Sequence, residues 1–521
     1  MSDQLLDTPS KHALSLSGLA DRAWNRFTET AIKTGWTPIT KLSEAAVVAL
    51  MRNMTKGQLK VFTFSHIYTF PAHQRDHHSE AERRAELRVV NDVFWVRLCA
   101  MGDLGFAEAY MYGDVECDDL VSLFSIFLDN RERLSNMDSA VSYLFTLPQK
   151  LTSYRFLNTI GNSRSNISAH YDISNEMFAG FLSKDMTYSC AIFEDLDGDV
   201  KNGLDRGLWS GGHALHRLGQ PAETSAPASM STPIAQDGPD VLEAAQYRKL
   251  RHIIRKADIL PGQRVLEIGS GWGSLSILIA QTVPDTRVDT LTLSVAQQAL
   301  ARERIRAAGL EDRITVHLMD YRDMPGDWES KFDRLVSVEM IEAVGREFLE
   351  TYWQKVNWAL KKKDAVGVVQ VITIPEARFE RYIREIDFIR KWVFPGGFLP
   401  TLTLLLQTLT AGSRGTLTVD SVTNIGPHYA RTLREWRKRF LSRFDEVVVP
   451  ALQAEYPDVM GLENKTAEQR ERAKTEIEVF KRKWIYYYCY CEVGFTTRTL
   501  GDHIITFTRE GAQGYGCNTF E

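Results

Sequence analysis

Residues 264–374 constrain the fold more than any other part of the chain. There, short apolar runs alternate with amphipathic stretches: RVLEIGS, GSLSILIAQ, RVDTLTLS, VAQQALARERIRAAGL, ITVHLMD, FDRLVSVEM, FLETYWQKVNWALKK and DAVGVVQVITI. Strands and helices in that rhythm predict a parallel, doubly wound α/β sheet. Its first apolar run enters a glycine cluster, VLEIGSGWGSL, at 265–275. Gly269, Gly271 and Gly273 carry no Cβ, so a ligand can approach the backbone closely. The first strand–turn–helix unit of such a sheet also borders its natural ligand crevice.

The spacing narrows the ligand. GxGxG lacks the third glycine at the dinucleotide position, and the absence of GK[ST] excludes a P-loop. Glu267 ends the first strand, and no arginine cluster prepares a site for phosphates. LTLSVAQQ follows the second strand and MDYRD the third. These are the places where an adenosine with an uncharged linkage, S-adenosylmethionine, would be held. The expected contacts are Glu267, Gly269, Gly271, Gly273, Thr292, Leu293, Ser294, Gln297, Asp320, Tyr321 and Arg322, with Trp272 packing against the cofactor. No acid ends the second strand to hold the ribose, so Thr292 and Gln297 would supply those hydrogen bonds.

At 521 residues the chain has room for two or three domains. Residues 1–80 mix amphipathic helical pattern with a polar end, where His73, His77 and His78 read as a solvated loop rather than a metal site. Residues 86–135 are compact and apolar. Alternation in LRVVNDVFWVRL predicts short strands, and DDLVSLFSIFLDN predicts a helix. The stretch 217–240 is rich in Pro, Ala, Ser and Gly and without aromatics, and it predicts a flexible insertion within about 201–240. A helix over VLEAAQYRKLRHIIRKADILPG leads into the sheet. These boundaries divide the chain into an N-terminal α+β domain, 1–150, and a catalytic domain, 151–521.

A net charge of −5 carries no polycation signature, so nucleic acid is not an expected partner. The N-terminus lacks a secretory pattern, and no apolar run reaches the roughly 20 residues of a spanning helix. Cys99, Cys117, Cys190, Cys489, Cys491 and Cys517 show no paired CxxC units and fit a reducing compartment. The expectation is a soluble, cytoplasmic protein.

Several segments in one order carry a resemblance: YDISNEMFAGFLSKDMTYSCAIFED, VLEIGSGWGSL, VEMIEAVG, FIRKWVFPGGFLPTL, NIGPHYARTLREWRKRFL and YYYCYCEVGFTTRTLGDHIITFTR. Together they resemble the cyclopropane-fatty-acyl-phospholipid synthase family, which includes the mycolic-acid cyclopropane synthases, over about residues 85–521. EMIEAVGREFLE, QVITIPEARFERY and FPGGFLP look most like its plant-type branch, and GDLGFAEAYMYGD resembles the N-terminal lipid-side domain of full-length synthases. The resemblance implies a Rossmann-like class I S-adenosylmethionine-dependent methyltransferase sheet with helical insertions. It also implies methylene transfer to a cis double bond of phospholipid acyl chains at a membrane surface, and a possible homodimer.

An olefin is a poor nucleophile, so such a protein must align the donor methyl with the π bond in a dry pocket. A base must then remove a proton from the new methyl group. The resemblance implies a bicarbonate ion as that base, held by Cys190, Glu342, the backbone of Ile372, Tyr429 and Gln370. Bacterial members carry His at the last position, and Gln cannot relay a proton. That departure leaves a cyclopropane ring and a methyl branch both open. The resemblance also implies cofactor contacts at Tyr188 and Ser189, and Cys491 matches a cysteine once assigned as the active-site residue. The residues themselves read Cys491 as structural. The basic helix TLREWRKRFLSRF reads as a solvated face or as a contact for anionic lipid head groups.

Overall fold

Two sheets organise the chain. The computed structural model describes residues 37–71, 83–134, 174–201 and 240–512. The domain boundary expected near 150, nearly all of the expected insertion, Cys517 and the three N-terminal histidines lie outside those residues.

The N-terminal sheet has four strands, β1 (Gln58–Phe62), β2 (Ile67–Phe70), β3 (Arg84–Val89) and β4 (Val115–Cys117), in the order β2-β1-β3-β4. β1 and β3 run parallel, and the outer pairs are antiparallel. One expectation fails here. VFWVRL is not a strand but the start of the helix Val93–Tyr112. Asn91 accepts a hydrogen bond from Val93 N at 3.1 Å and turns the chain. Phe94, Trp95 and Leu98 then bury one helical face, so tertiary burial overrides the alternating pattern. DDLVSLFSIFLDN does form a helix, Leu120–Asp129, whose first turn is capped by the Asp119 carboxylate.

The larger sheet contains β5 (Arg264–Ile268), β6 (Arg287–Thr292), β7 (Ile314–Leu318), β8 (Arg334–Val338), β9 (Val366–Thr373), β10 (Leu417–Asn424) and β11 (Gly501–Arg509). Their order is β10-β11-β9-β8-β5-β6-β7. The five strands β5 to β9 are parallel, while β11 pairs antiparallel with both β9 and β10. Burial of nearly every residue of β5 and β8 follows from helices covering both faces of a parallel sheet. β6 and β8 leave β5 on opposite sides, which opens a crevice beyond their carboxyl ends.

The two units share one core. The helix Ala467–Thr496 begins with a capping box of Thr466 and Gln469, and its aromatic half meets the N-terminal domain. Tyr486 lies 5.0 Å from Phe124 and 6.3 Å from Phe106, centroid to centroid. Lys391 Nζ reaches Glu108 Oε1 at 2.6 Å across the same boundary. In the run WIYYYCYC, Tyr486 and Tyr490 face the N-terminal domain, while Trp484, Tyr487 and Tyr488 pack within the catalytic domain against Phe181, Phe394 and Phe440.

Candidate active site

The glycine turn occupies the crevice between the ends of β5 and β8. Gly269 and Gly271 have φ of +100° and +48°, a region that side-chain-bearing residues rarely adopt. A Cβ on Gly271 would meet no protein atom within 4 Å, because it points into open space. That space is a cavity lined by Tyr188, Ser189, Glu267, Gly269, Gly271, Trp272, Thr292, Leu293, Gln297, Asp320, Tyr321 and Arg322, all expected contacts. Gly273 and Ser294 were expected there too, but their work is local. Gly273 lies against Ala301 of the following layer, and Ser294 caps the helix Val295–Ala307.

Several polar groups around the cavity hold one another in place, while the buried hydroxyls of Thr187 and Tyr321 have no hydrogen-bond partner among the described residues. Glu267 accepts from Ser276 Oγ, and burial pushes its carboxyl up to about 7. Thr292 Oγ1 donates to Gln297 Oε1 at 2.9 Å, so the two residues assigned to the ribose are held against each other. Asp320 receives Arg322 through Nε at 2.8 Å and through the backbone N at 2.9 Å. Trp272 donates its indole N–H to Asn175 at 2.8 Å and packs on Phe178, 5.1 Å away. A backbone exposed by glycines, an acid at the strand end and uncharged polar groups beyond β6 fit an adenosine with a sulfonium side chain. They offer no cluster of cations for phosphates.

The far wall of the cavity contains a second centre, and two of its three acids were not foreseen. Glu339 follows β8 directly and lines the cavity. Its Oε1 accepts from Cys190 N at 2.8 Å and from Gln370 Nε2 at 2.8 Å, and its Oε2 accepts from Tyr429 OH at 2.6 Å. Gln370 also donates to Asp502 Oδ2 at 2.8 Å. Antiparallel pairing of β11 with β9 sets Asp502 opposite Ile372 and so delivers it to this end of the sheet. Glu342 accepts the backbone N–H of Ile372 at 2.5 Å. Burial pushes the Glu342 carboxyl up to about 8, and the neighbouring Glu339 adds to it. Burial likewise raises Asp502 well above the usual carboxylate range, with the charges of Glu339 and Glu342 contributing.

This arrangement alters several expectations. Cys190, Gln370, Tyr429, Glu342 and Ile372 do converge, but not around an empty anion site. The three donors assigned to bicarbonate from Cys190, Gln370 and Tyr429 all end on Glu339, and the Ile372 N–H ends on Glu342. A separate bicarbonate ion does not fit this donor set. Cys190 acts through its main chain, while its buried thiol faces the carbonyls of Ala191 and Ile425. Among the described residues no hydrogen bond joins Cys491 to the acids. Burial raises its thiol, with Asp387 and Cys489 adding to the shift.

The basic helix, within Gly426–Ser442, is neither a solvated face nor a free cationic surface. Arg434 pairs with Asp199 at 2.6 Å, Arg437 with Glu492 at 3.0 Å, and Arg439 with Asp240. Two signals for the missed groups were present in the sequence. The acid of VEM stands at a strand end beside the crevice. Lys249 interrupts the apolar stripe of Leu242, Ala245, Leu250 and Ile253 and is fully buried at the cavity, where its Nζ donates to Ser189 Oγ at 2.6 Å.

Sheet order, glycine turn and cavity together define the class: this is a class I S-adenosylmethionine-dependent methyltransferase fold. A coclaurine N-methyltransferase structure, bound to N-methylheliamine and S-adenosylhomocysteine, superposes with a TM-score of 0.50 at 17% identity, covering 77% of this chain and 98% of that one. The family described as mycolic acid cyclopropane synthetase matches residues 159–206 and 229–460, and the chain belongs to that family. Tuberculostearic acid methyltransferase UfaA1 of Mycobacterium tuberculosis is 33% identical over 415 residues, 80% of this chain and 81% of its own length. Cyclopropane-fatty-acyl-phospholipid synthase of Escherichia coli is 29% identical over 427 residues, 82% of this chain and 88% of its own.

Proposed function

We propose that the protein transfers a one-carbon unit from S-adenosylmethionine to the cis double bond of an unsaturated phospholipid acyl chain, forming a cyclopropane ring. When bound, the cofactor supplies an electrophilic methyl group. The observation that carries the reading is the aromatic wall beside the glycine turn. Tyr188 lines the cofactor cavity, its ring stacks with Phe394 at 6.4 Å, and its hydroxyl meets that of Tyr487 at 3.2 Å. Tyr429 stacks with Phe495 at 4.4 Å beside the acids. Tyr188 faces the cavity and the other rings pack behind it. Such a wall keeps water from an apolar chain, and the Tyr188 ring would stabilise the positive charge that methylation leaves on carbon.

Membrane access is part of the proposal. Among the described residues no helix is long and apolar enough to cross a bilayer, so the enzyme docks on the surface and draws one acyl chain inward. The similarity to a tuberculostearic acid methyltransferase favours a second reading, a methyl-branched product. Mass spectrometry of fatty acids, after expression in a host rich in unsaturated phospholipids, separates the two. From the balance of atoms in one-carbon addition, a gain of about 14 mass units with loss of the double bond supports the ring. A gain of about 14 with a double bond retained supports a methylene branch, and about 16 supports that branch after two-electron reduction by a reductase of the host. No gain on any lipid refutes both.

A further inference from the structure

We infer that the carboxylate of Glu339 is the base of this reaction, so the enzyme works without a bound bicarbonate ion. The inference rests on the proposed acyl-chain chemistry and concerns the group that removes the proton.

Three elements remote in sequence aim donors at one carboxylate. Cys190 brings a main-chain N–H, Gln370 an amide from β9, and Tyr429 a hydroxyl from the first turn of its helix. Both carboxylate oxygens are thereby fixed in direction, and Glu339 borders the cofactor cavity. Its backbone is a second, independent observation. Glu339 has φ of +47°, left-handed for a residue with a long side chain. Such a conformation is strained and persists at functional sites where surrounding structure over-determines it. Here the Glu339 N–H donates to Gln370 O at 2.8 Å and holds the strained residue beside β9.

The neighbouring acids complete the argument. Gln370 spreads its amide hydrogens between Glu339 and Asp502. Glu339 has three donors and the positive charge of Lys249 nearby, while Asp502 carries a strongly raised carboxyl behind it. The negative charge therefore resides on Glu339. Burial raises Glu339 too, which makes its ionised form a stronger proton acceptor than a carboxylate in water.

The step balances without another reactant. The olefin's π pair forms the new bond to the methyl carbon, the methyl–sulfur bond breaks with its pair left on sulfur, and the acyl carbon becomes positive. Glu339 takes one proton from the added methyl group. The released C–H pair closes the ring. On the route to a branched chain a hydride first shifts from the methyl-bearing carbon to the cation, and the same C–H pair then forms the double bond of a methylene branch. Glu339, now a neutral acid, returns its proton to water after product departure.

The test uses the full-length enzyme, S-adenosylmethionine and dioleoyl phospholipid vesicles in carbon-dioxide-free buffer. Wild-type turnover should stay within about twofold when bicarbonate is added, and Glu339→Gln should lose on the order of a hundredfold or more, the usual worth of a positioned base. Glu339→Gly suits the left-handed backbone and opens a carboxylate-sized space among the same donors. It should be inactive without bicarbonate and recover at least about tenfold with it, in line with the worth of a proton acceptor. Calorimetry with bicarbonate alone should show binding to Glu339→Gly and none to the wild type. A bicarbonate-dependent wild type, bicarbonate binding to the wild type, or near-normal turnover in Glu339→Gln would overturn the inference. A wild type that modifies no lipid sinks the proposed function instead, and the calorimetry still decides who occupies the donor set.

Discussion

The cofactor crevice and the acid cluster share one cavity yet are built in opposite ways. The crevice comes from short segments, each spanning or following the carboxyl end of a parallel strand: 267–273 at β5, 292–297 at β6 and 320–322 at β7. The acid cluster joins a loop at Cys190, the end of β8, the interior of β9, a helix turn at Tyr429 and the start of β11. The crevice is a sequence-local device whose strength lies in what is missing, the side chains of its glycines. The cluster is a long-range device whose strength lies in what is supplied, donors from distant elements to one buried charge.

The largest expected effect breaks the crevice alone. Gly271→Val would place branched carbon into space that is now open, and its left-handed φ adds strain. Affinity for S-adenosylmethionine should fall on the order of a hundredfold or more, about 2.7 kcal/mol. Calorimetry on a variant shown by circular dichroism to be folded checks this, and unchanged affinity would remove the turn from the site.

Next in size is a break in the cluster that spares the crevice. Gln370→Ala deletes the donor shared by Glu339 and Asp502, leaving buried acceptors unmade at about 1–3 kcal/mol each. Denaturant unfolding should show that loss, and turnover should drop while cofactor affinity holds. Gln370→His keeps a donor and should be the milder change. Equal damage from both variants would mean that volume, not hydrogen bonding, matters at this position.

A pH series sharpens the comparison further. Glu267 in the crevice is raised from 4.5 to about 7, and Glu342 in the cluster from 4.5 to about 8. Between the unfolded and folded values, the folded protein holds a proton that the unfolded chain has released. Stability therefore falls as pH rises, by about 1.4 kcal/mol per unit for each such group. Glu267→Gln should flatten the decline between 4.5 and about 7 and leave the part up to about 8 in place. Unfolding free energies would contradict this if wild type and Glu267→Gln declined equally steeply between 4.5 and about 7.

The smallest effect is expected at Cys491, buried among aromatics and outside the cluster. Cys491→Ala should keep turnover within about twofold and lower stability by about 1 kcal/mol, the common size of a buried truncation. Loss of turnover with unchanged melting would return this thiol to the chemistry.

While Tyr188 and Ser189 came from the resemblance, the sheet, the glycine turn and the part of the cavity lining that follows the parallel strands were legible from residues alone. Their signals repeat over neighbouring positions: buried strands read as continuous apolar runs, and a ligand turn needs its glycines consecutively spaced. For the same reason VFWVRL misled, because a short apolar run suits strand and helix equally until burial decides. Tertiary structure alone decided that the donors of Cys190, Gln370 and Tyr429 end on Glu339, that Asp502 stands behind Gln370, and that the arginines of the basic helix turn inward to Asp199, Asp240 and Glu492. Hydrogen bonds and ion pairs depend on distances of a few ångströms and on direction. Residues 31 to 235 positions apart acquire that proximity only when strand order and helix packing bring their elements together.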